Sequence, residues 1–260
     1  MVERLGSGGV AEVYRCRDGR RQAAIKLLRA TVENDEHVRR RLAREAEILT
    51  RLDHPGIVRV RHVELEAESP WIEMDLVDGR HAGWLVRSGP SSIRTEVQVG
   101  AQLLDAMAFW HSQGVAHRDV KPANVIVGPD NHVTVVDFGL ALDPSLERLS
   151  GIGVRVGTCA YAPPEWLADD DDSTPAAWDV YGAGQTLCEL LSGQRAFDAK
   201  ASLMVLMNQK STVEHLDPGA RVPEPLRAVV RALTHCDPKG RPDSVEAQAM
   251  FASARAALRL

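Results

Sequence analysis

"HRDVKPAN", residues 117–124, and "VVDFG", residues 135–139, decide how this chain folds and what chemistry it carries. The first stretch brings Asp119, Lys121 and Asn124 close together. The second ends an apolar, β-branched run on Asp137, and Gly139 permits a sharp turn behind it. A carboxylate and an amide oxygen are hard donors suited to magnesium, so Asn124 and Asp137 are candidate metal ligands. Asp119 is then free to orient a hydroxyl and take its proton. Lys121 can meet a transferred phosphoryl group. Any one of these acids alone reads as a surface charge. D-x-K-P-x-N, followed 13 residues later by D-F-G, is not a chance spacing.

Toward the N-terminus lies "RLGSGGVAEVY", residues 4–14. Gly6, Ser7, Gly8 and Gly9 can bend tightly and turn backbone N–H groups toward a phosphate. G-x-G-x-x-G serves dinucleotide and triphosphate sites alike, and Ala11 holds the third glycine position, so this stretch alone does not choose between them. Its flanks do. "VERLG" and "VAEVYRC" read as hairpin arms, "DGRR" as a turn and "AAIKLL" as a third strand. A dinucleotide loop must lead from strand into helix, and here strand continues.

From about Glu36 to Leu52 the pattern is helical, with Val38, Leu42, Ala46 and Leu49 on one stripe. Glu45 shares that inward stripe, and an inward carboxylate requires a cationic partner. "HPGIVRV" restarts the chain after a turn, "WIEMDLV" ends this strand-rich section, and Asp78-Gly79 punctuates it. The remainder is mostly helical. Ile93, Val97, Ala101, Leu104 and Ala108 mark one long helix; "NVIV" and "HVTVVDF" are short strands joined by "GPDNH". "AAWDVYGAGQTLCELLSG" is apolar nearly all round, which implies burial, with Gly193 as its C-terminal cap. The expected fold is α+β and bilobal. A small β-rich lobe over residues 1–74 holds one key helix, residues 75–79 form a hinge, and a larger α-rich lobe covers residues 80–260.

The 260 residues, 44% of them hydrophobic, suffice for two lobes with a real core. A net charge of −5 gives no reason to expect nucleic acid as a partner. The basic tract "VRRRLAREAE" from Val38 reads as a solvated helix face. Cys16, Cys159, Cys188 and Cys236 show no C-x-x-C spacing, which argues against a zinc site and fits a reducing, cytoplasmic setting. Neither a signal pattern nor an apolar run long enough to span a membrane is expected in this chain.

The motif set resembles that of eukaryotic-type protein serine/threonine kinases of the kind also found in bacteria. "GSGGVAEV", "AAIK", "HRDVKPAN", "DFG" and "YAPPE" occur in that family's order, followed by "DVYGAG" and "DPKGRP". The resemblance runs from about Leu5 to Leu258. It implies ATP and magnesium as cofactors, a serine or threonine protein substrate, and autophosphorylation. It also implies roles. Leu5, Gly6, Ser7, Gly8, Gly9, Val10, Ala11 and Val13 would cover the nucleotide. Lys26, paired with Glu45, would hold the α- and β-phosphates. Val13, Ala24 and Ile126 would sandwich the adenine, with Met74 behind it and Asp75 to Val77 as the hinge. Asp119 would be the base, Lys121 would steady the γ-phosphate, and Asn124 and Asp137 would hold magnesium. Thr158 would contact Asp119 and Lys121 beneath the substrate, and Arg118 would receive a phosphorylated activation-loop residue. Glu165 would pair with Arg241, and Asp179 would brace the catalytic loop.

Four departures from the family pattern stand out: Ala11 for the third glycine, Pro163-Pro164-Glu165 for A-P-E, Asp75 for the usual hinge glutamate, and only Ser145 and Ser150 as hydroxyls between Leu140 and Gly157. Ser150 is therefore the candidate phosphosite. The rival readings are a pseudokinase and a small-molecule phosphotransferase of related fold. Loss of Lys26, Asp119, Asn124 or Asp137 would mark the first, and none is lost. The second generally lacks the P-P-E segment and the "DVYGAG" helix.

Overall fold

The computed structural model describes residues 3–88, 92–138, 159–167 and 174–260. Strands β1 (Glu3–Ser7), β2 (Ala11–Asp18) and β3 (Arg21–Leu28) are followed by helix α1 (Glu36–Arg51) and strands β4 (Val60–Glu64) and β5 (Trp71–Asp75). The five strands form an antiparallel sheet in the order β1-β2-β3-β5-β4. Its register puts Val13 opposite Lys26 and Ala24 opposite Met74. Because strand side chains alternate, Val13, Ala24, Lys26, Ile72 and Met74 share one face. α1 begins at Asp35, whose carboxylate accepts from the backbone N–H groups of His37 and Val38, and it buries Leu42, Glu45, Ala46, Ile48 and Leu49.

This lobe refines one sequence expectation and corrects another. "HPGIVRV" does not become strand until Val60. Before that, Gly56 O accepts from Val135 N at 2.8 Å and Val58 N donates to Val135 O at 3.0 Å, so this stretch spends its hydrogen bonds on the far lobe. The basic tract is not a uniformly solvated face either. The Arg39 guanidinium donates to the carbonyls of Glu33, Leu65 and Ala67 at 2.9–3.1 Å, bracing α1 against the β4–β5 turn.

The second region begins with β6 (Arg80–His81), α2 (Ala82–Arg87) and α3 (Ile93–Ser112). Strands β7 (Val125–Val127) and β8 (Val133–Val135) join β6 in a small sheet ordered β6-β7-β8. Helices α4 (Pro164–Leu167), α5 (Pro175–Ser192), α6 (Leu203–Ser211), α7 (Glu224–Leu233) and α8 (Ser244–Leu258) complete it. α5 is capped by the Thr174 side chain and closed by Gly193 at φ 67°, and every residue from Trp178 to Leu191 is buried. Its glycines let neighbours approach closely. A Cβ on Gly182 would stand 2.6 Å from the Val120 carbonyl, and one on Gly184 would stand 2.6 Å from the Leu233 Cβ. α5 is thus a buried post, carrying the segment around Val120 on one side and α7 on the other.

Candidate active site

The segment from His117 to Asn124 is held from below by one carboxylate. Asp179, fully buried on α5, accepts from His117 N at 2.7 Å, Arg118 N at 2.6 Å, Trp110 Nε1 at 3.0 Å and the His111 ring at 2.9 Å. Arg118 takes a left-handed backbone, φ 63°, a strained state for a residue with a Cβ. Pinning both amides fixes the bend that presents Asp119. His117, also fully buried, accepts from Asp119 N through Nδ1 at 3.3 Å and meets the Val136 carbonyl through Nε2 at 3.1 Å. Its ring packs against Phe138 at 4.4 Å between centroids, and Trp110 meets Phe138 edge-on at 5.6 Å. Asp137 beside it is left-handed too, φ 67°.

These anchors place the acids. Asp119 Oδ2 accepts from Lys121 Nζ at 2.6 Å and from Asn124 Nδ2 at 3.0 Å. Asp119 Oδ1 is buried and has no partner among the described residues. Such an orphaned acceptor is uncommon in a folded protein and calls for a donor from outside. Burial pushes the Asp119 carboxyl above its ordinary range, with Lys121 opposing. Asn124 also gives Nδ2 to the Asp119 carbonyl at 2.8 Å, so its Oδ1 is the atom left for a cation.

Lys26 connects the two lobes. Its ammonium lies 2.6 Å and 2.7 Å from the Glu45 oxygens and 2.7 Å from Asp137 Oδ1. Burial opposes the charge on Lys26 most strongly, but Asp137 and Glu45 outweigh it and hold its pKa above the ordinary lysine value. Lys26 in turn holds Asp137 well below the carboxylate range, while burial raises Glu45 against the pull of Lys26. The inward Glu45 thus has its cation. Asp137 keeps half its side-chain surface exposed, 51%, and is open to a ligand.

Around this centre, Gly8 N closes a tight turn on Ala11 O at 2.7 Å, and Arg29 N donates to Val10 O at 3.0 Å. Ser7 Oγ accepts from the Arg29 guanidinium. Ala11 is a buried strand residue that is not among those with positive φ, which explains why no glycine is needed there. Leu5 is exposed, and Gly6 pairs with Val13 across the hairpin. Ala24 and Met74 are buried and paired, and Asp75 turns its carboxylate to Arg61. Val77 and Ile126 are half-buried, and Ile126 lies against Gly79. Glu165 and Arg241 form a bidentate pair at 2.7 and 2.8 Å. Ser150 and Thr158 lie outside the described residues.

The sequence alone assigns His117 and Phe138 no part. Their contacts join segments far apart in the chain, and only the H-R-D and D-F-G contexts hinted at them. Nothing in the sequence singles out Arg29, whose guanidinium reaches Ser7.

The chain belongs to the protein kinase domain family, whose model matches residues 1–251. Among curated proteins it is 37% identical to a serine/threonine-protein kinase, PkaA, of Streptomyces coelicolor, over 94% of this chain and 47% of that protein. It is 33% identical to a probable serine/threonine-protein kinase, PknB, of Lactococcus lactis, over 95% of this chain and 40% of that protein. A serine/threonine-protein kinase, PknB, of Mycobacterium tuberculosis matches at 36% over 85% of this chain and 36% of that protein. The chain thus spans less than half the length of these relatives. Among the described residues no helix is long and apolar enough to cross a membrane.

Proposed function

We propose that this chain transfers the γ-phosphoryl group of ATP to serine or threonine hydroxyls of proteins. The observation that carries the reading is the state of Asp119: one oxygen is fixed by Lys121 and Asn124, the other is buried and has no partner among the described residues. A substrate hydroxyl donating to Oδ1 supplies the missing bond. Its oxygen attacks the γ-phosphorus, its proton passes to Asp119, and the bond to the β–γ bridging oxygen breaks to release ADP. Lys26, already ordered by Glu45, would pair with the α- and β-phosphates, and Lys121 would steady the γ-phosphate.

The donors fit magnesium. They are oxygens, one from a half-exposed carboxylate and one from an amide whose nitrogen is engaged elsewhere. Among the described residues no three His, Cys, Asp or Glu side chains gather into a metal cage, so phosphate oxygens and water would complete the coordination. Magnesium held by Asn124 and Asp137 would neutralise charge on the phosphates. Autophosphorylation at Ser150, with Arg118 receiving the phosphate, and a place in bacterial signalling belong to the same proposal; the bacterial relatives support the latter.

The test is phosphoamino-acid analysis after incubation with labelled ATP, magnesium and a generic protein substrate. Phosphoserine or phosphothreonine is expected. No label above a no-enzyme control would favour a pseudokinase, and label only on small-molecule acceptors would favour a metabolite kinase.

A further inference from the structure

Lys210 on α6 is almost wholly buried, yet it pairs with no carboxylate among the described residues. Its ammonium donates to the Ala162 carbonyl at 2.6 Å and to Gln185 Oε1 at 3.3 Å. It stands 4.5 Å from the centre of the Phe197 ring and 4.9 Å from that of Tyr181. Buried lysines normally neutralise or find a carboxylate, and this one is held instead by two neutral oxygens and two aromatic faces.

The nearby acids are committed elsewhere. Glu189 on α5 accepts from Tyr161 Oη at 2.8 Å, Ala196 N at 3.1 Å and Gln185 Nε2 at 3.3 Å. Glu165 on α4 is taken by Arg241. The titratable and charged groups that face Lys210 are thus Glu189 and Tyr181 from α5, Glu165 from α4, Arg241, and Cys159 and Tyr161 from the connecting segment. Burial dominates and pulls the Lys210 ammonium down to about 7, against the attraction of Glu189 and Glu165.

Ala162 lies in the short described segment, residues 159–163, that leads into α4. Besides Lys210, that segment is tied by Gln185 Nε2 to the Ala160 carbonyl at 2.9 Å and by Tyr161 to Glu189. We propose that the acceptor peptide lies against this segment, which α5 holds beside the loop that carries Asp119 through Gly182 at Val120 and Gln185 at Ala160, and that Lys210 is its positioning residue: the ammonium, clasping the Ala162 carbonyl, fixes the segment and makes peptide engagement depend on pH. This rests on the kinase reading of the site. When the ammonium loses its proton, the charge-assisted bond to Ala162 and the attraction to both rings weaken. The nucleotide-side groups Lys26, Asn124 and Asp137 have no hydrogen bond to Lys210 or to Ala162, so ATP binding stays apart.

The experiment measures KM for a serine peptide without titrating groups, and KM for ATP, from about pH 6 to about pH 8.5. Wild type is expected to lose peptide affinity as pH rises through the neutral range while the ATP KM stays flat. Lys210→Met should raise the peptide KM about ten-fold at low pH, the lower bound for one charge-assisted bond, with the ATP KM within about two-fold. Lys210→Arg, which stays charged, should flatten the peptide profile. A peptide KM that does not move with pH in wild type, or moves equally in Lys210→Arg, overturns the proposal. So does a Lys210→Met enzyme with the wild-type peptide KM; if that variant does not fold, the wild-type and Lys210→Arg profiles decide. Absence of any transfer by wild type defeats the kinase reading and this proposal with it. Transfer with a pH-independent peptide KM defeats this proposal alone.

Discussion

Replacing Glu165 with Gln strips the Arg241 guanidinium of its only carboxylate among the described residues. The pair is bidentate at 2.7 and 2.8 Å, and its side chains are only 1% and 4% exposed, so solvent cannot replace the lost charge. Removing one partner of a buried pair typically costs about 3–5 kcal/mol. Arg241 would keep bonds to the carbonyls of His235, Ala177 and Cys236, at 2.7, 3.1 and 3.2 Å, and its stacking over Tyr181. Those contacts place the loss near the lower bound, about 3 kcal/mol. For a chain of this size that corresponds to a fall in Tm of about 6–12 °C. The assay is calorimetric melting alongside urea unfolding of wild type, Glu165→Gln, Arg241→Met and the double variant. Because the cost lies in the orphaned charge, the double variant should recover much of the loss. A Glu165→Gln protein that melts within about 2 °C of wild type would refute the reasoning. So would a double variant whose loss equals the sum of the two singles.

Three further outcomes are expected. Gly182→Ala drives a Cβ to 2.6 Å from the Val120 carbonyl, and should cost about 1–3 kcal/mol in urea unfolding and lower kcat by displacing the loop that presents Asp119. Ala11→Gly should change the ATP KM by less than about two-fold, because Ala11 sits in ordinary strand conformation opposite Leu28. In pH–rate profiles, kcat should fall on acidification at a higher pH than an ordinary aspartate would give, since burial raises the Asp119 carboxyl and the base must be ionised to accept a proton.

Much of this arrangement was legible in the sequence where two demands met. Glu45 on a helix's inward stripe needed a cation, and Lys26 supplied it. The apolar-all-round pattern of "AAWDVYGAGQTLCELLSG" announced a buried helix, and Gly193 closed it as expected. What was not legible depends on contacts between distant segments. Nothing local tells that Gly56 and Val58 bond to Val135 rather than to a neighbouring strand. Nothing in "NQKST" marks Lys210 as buried, because Phe197, Tyr181 and the Ala162 carbonyl come from three other places in the chain. Arg39 failed for the same reason. An arginine on a helix reads as solvated until the turn that it clasps is built beside it.

The central claim is that Asp119 acts as the base in an otherwise self-sufficient nucleotide site. The most direct measurement compares wild type and Asp119→Asn, in one preparation each, for both magnesium–ATP affinity and the rate of phosphoryl transfer to a serine peptide. ATP affinity within about three-fold of wild type is expected, with a transfer rate lower by about 10²–10⁴-fold, the usual contribution of a positioned base. Equal transfer rates in the two proteins would contradict the claim, as would a loss of transfer matched by an equal loss of ATP affinity.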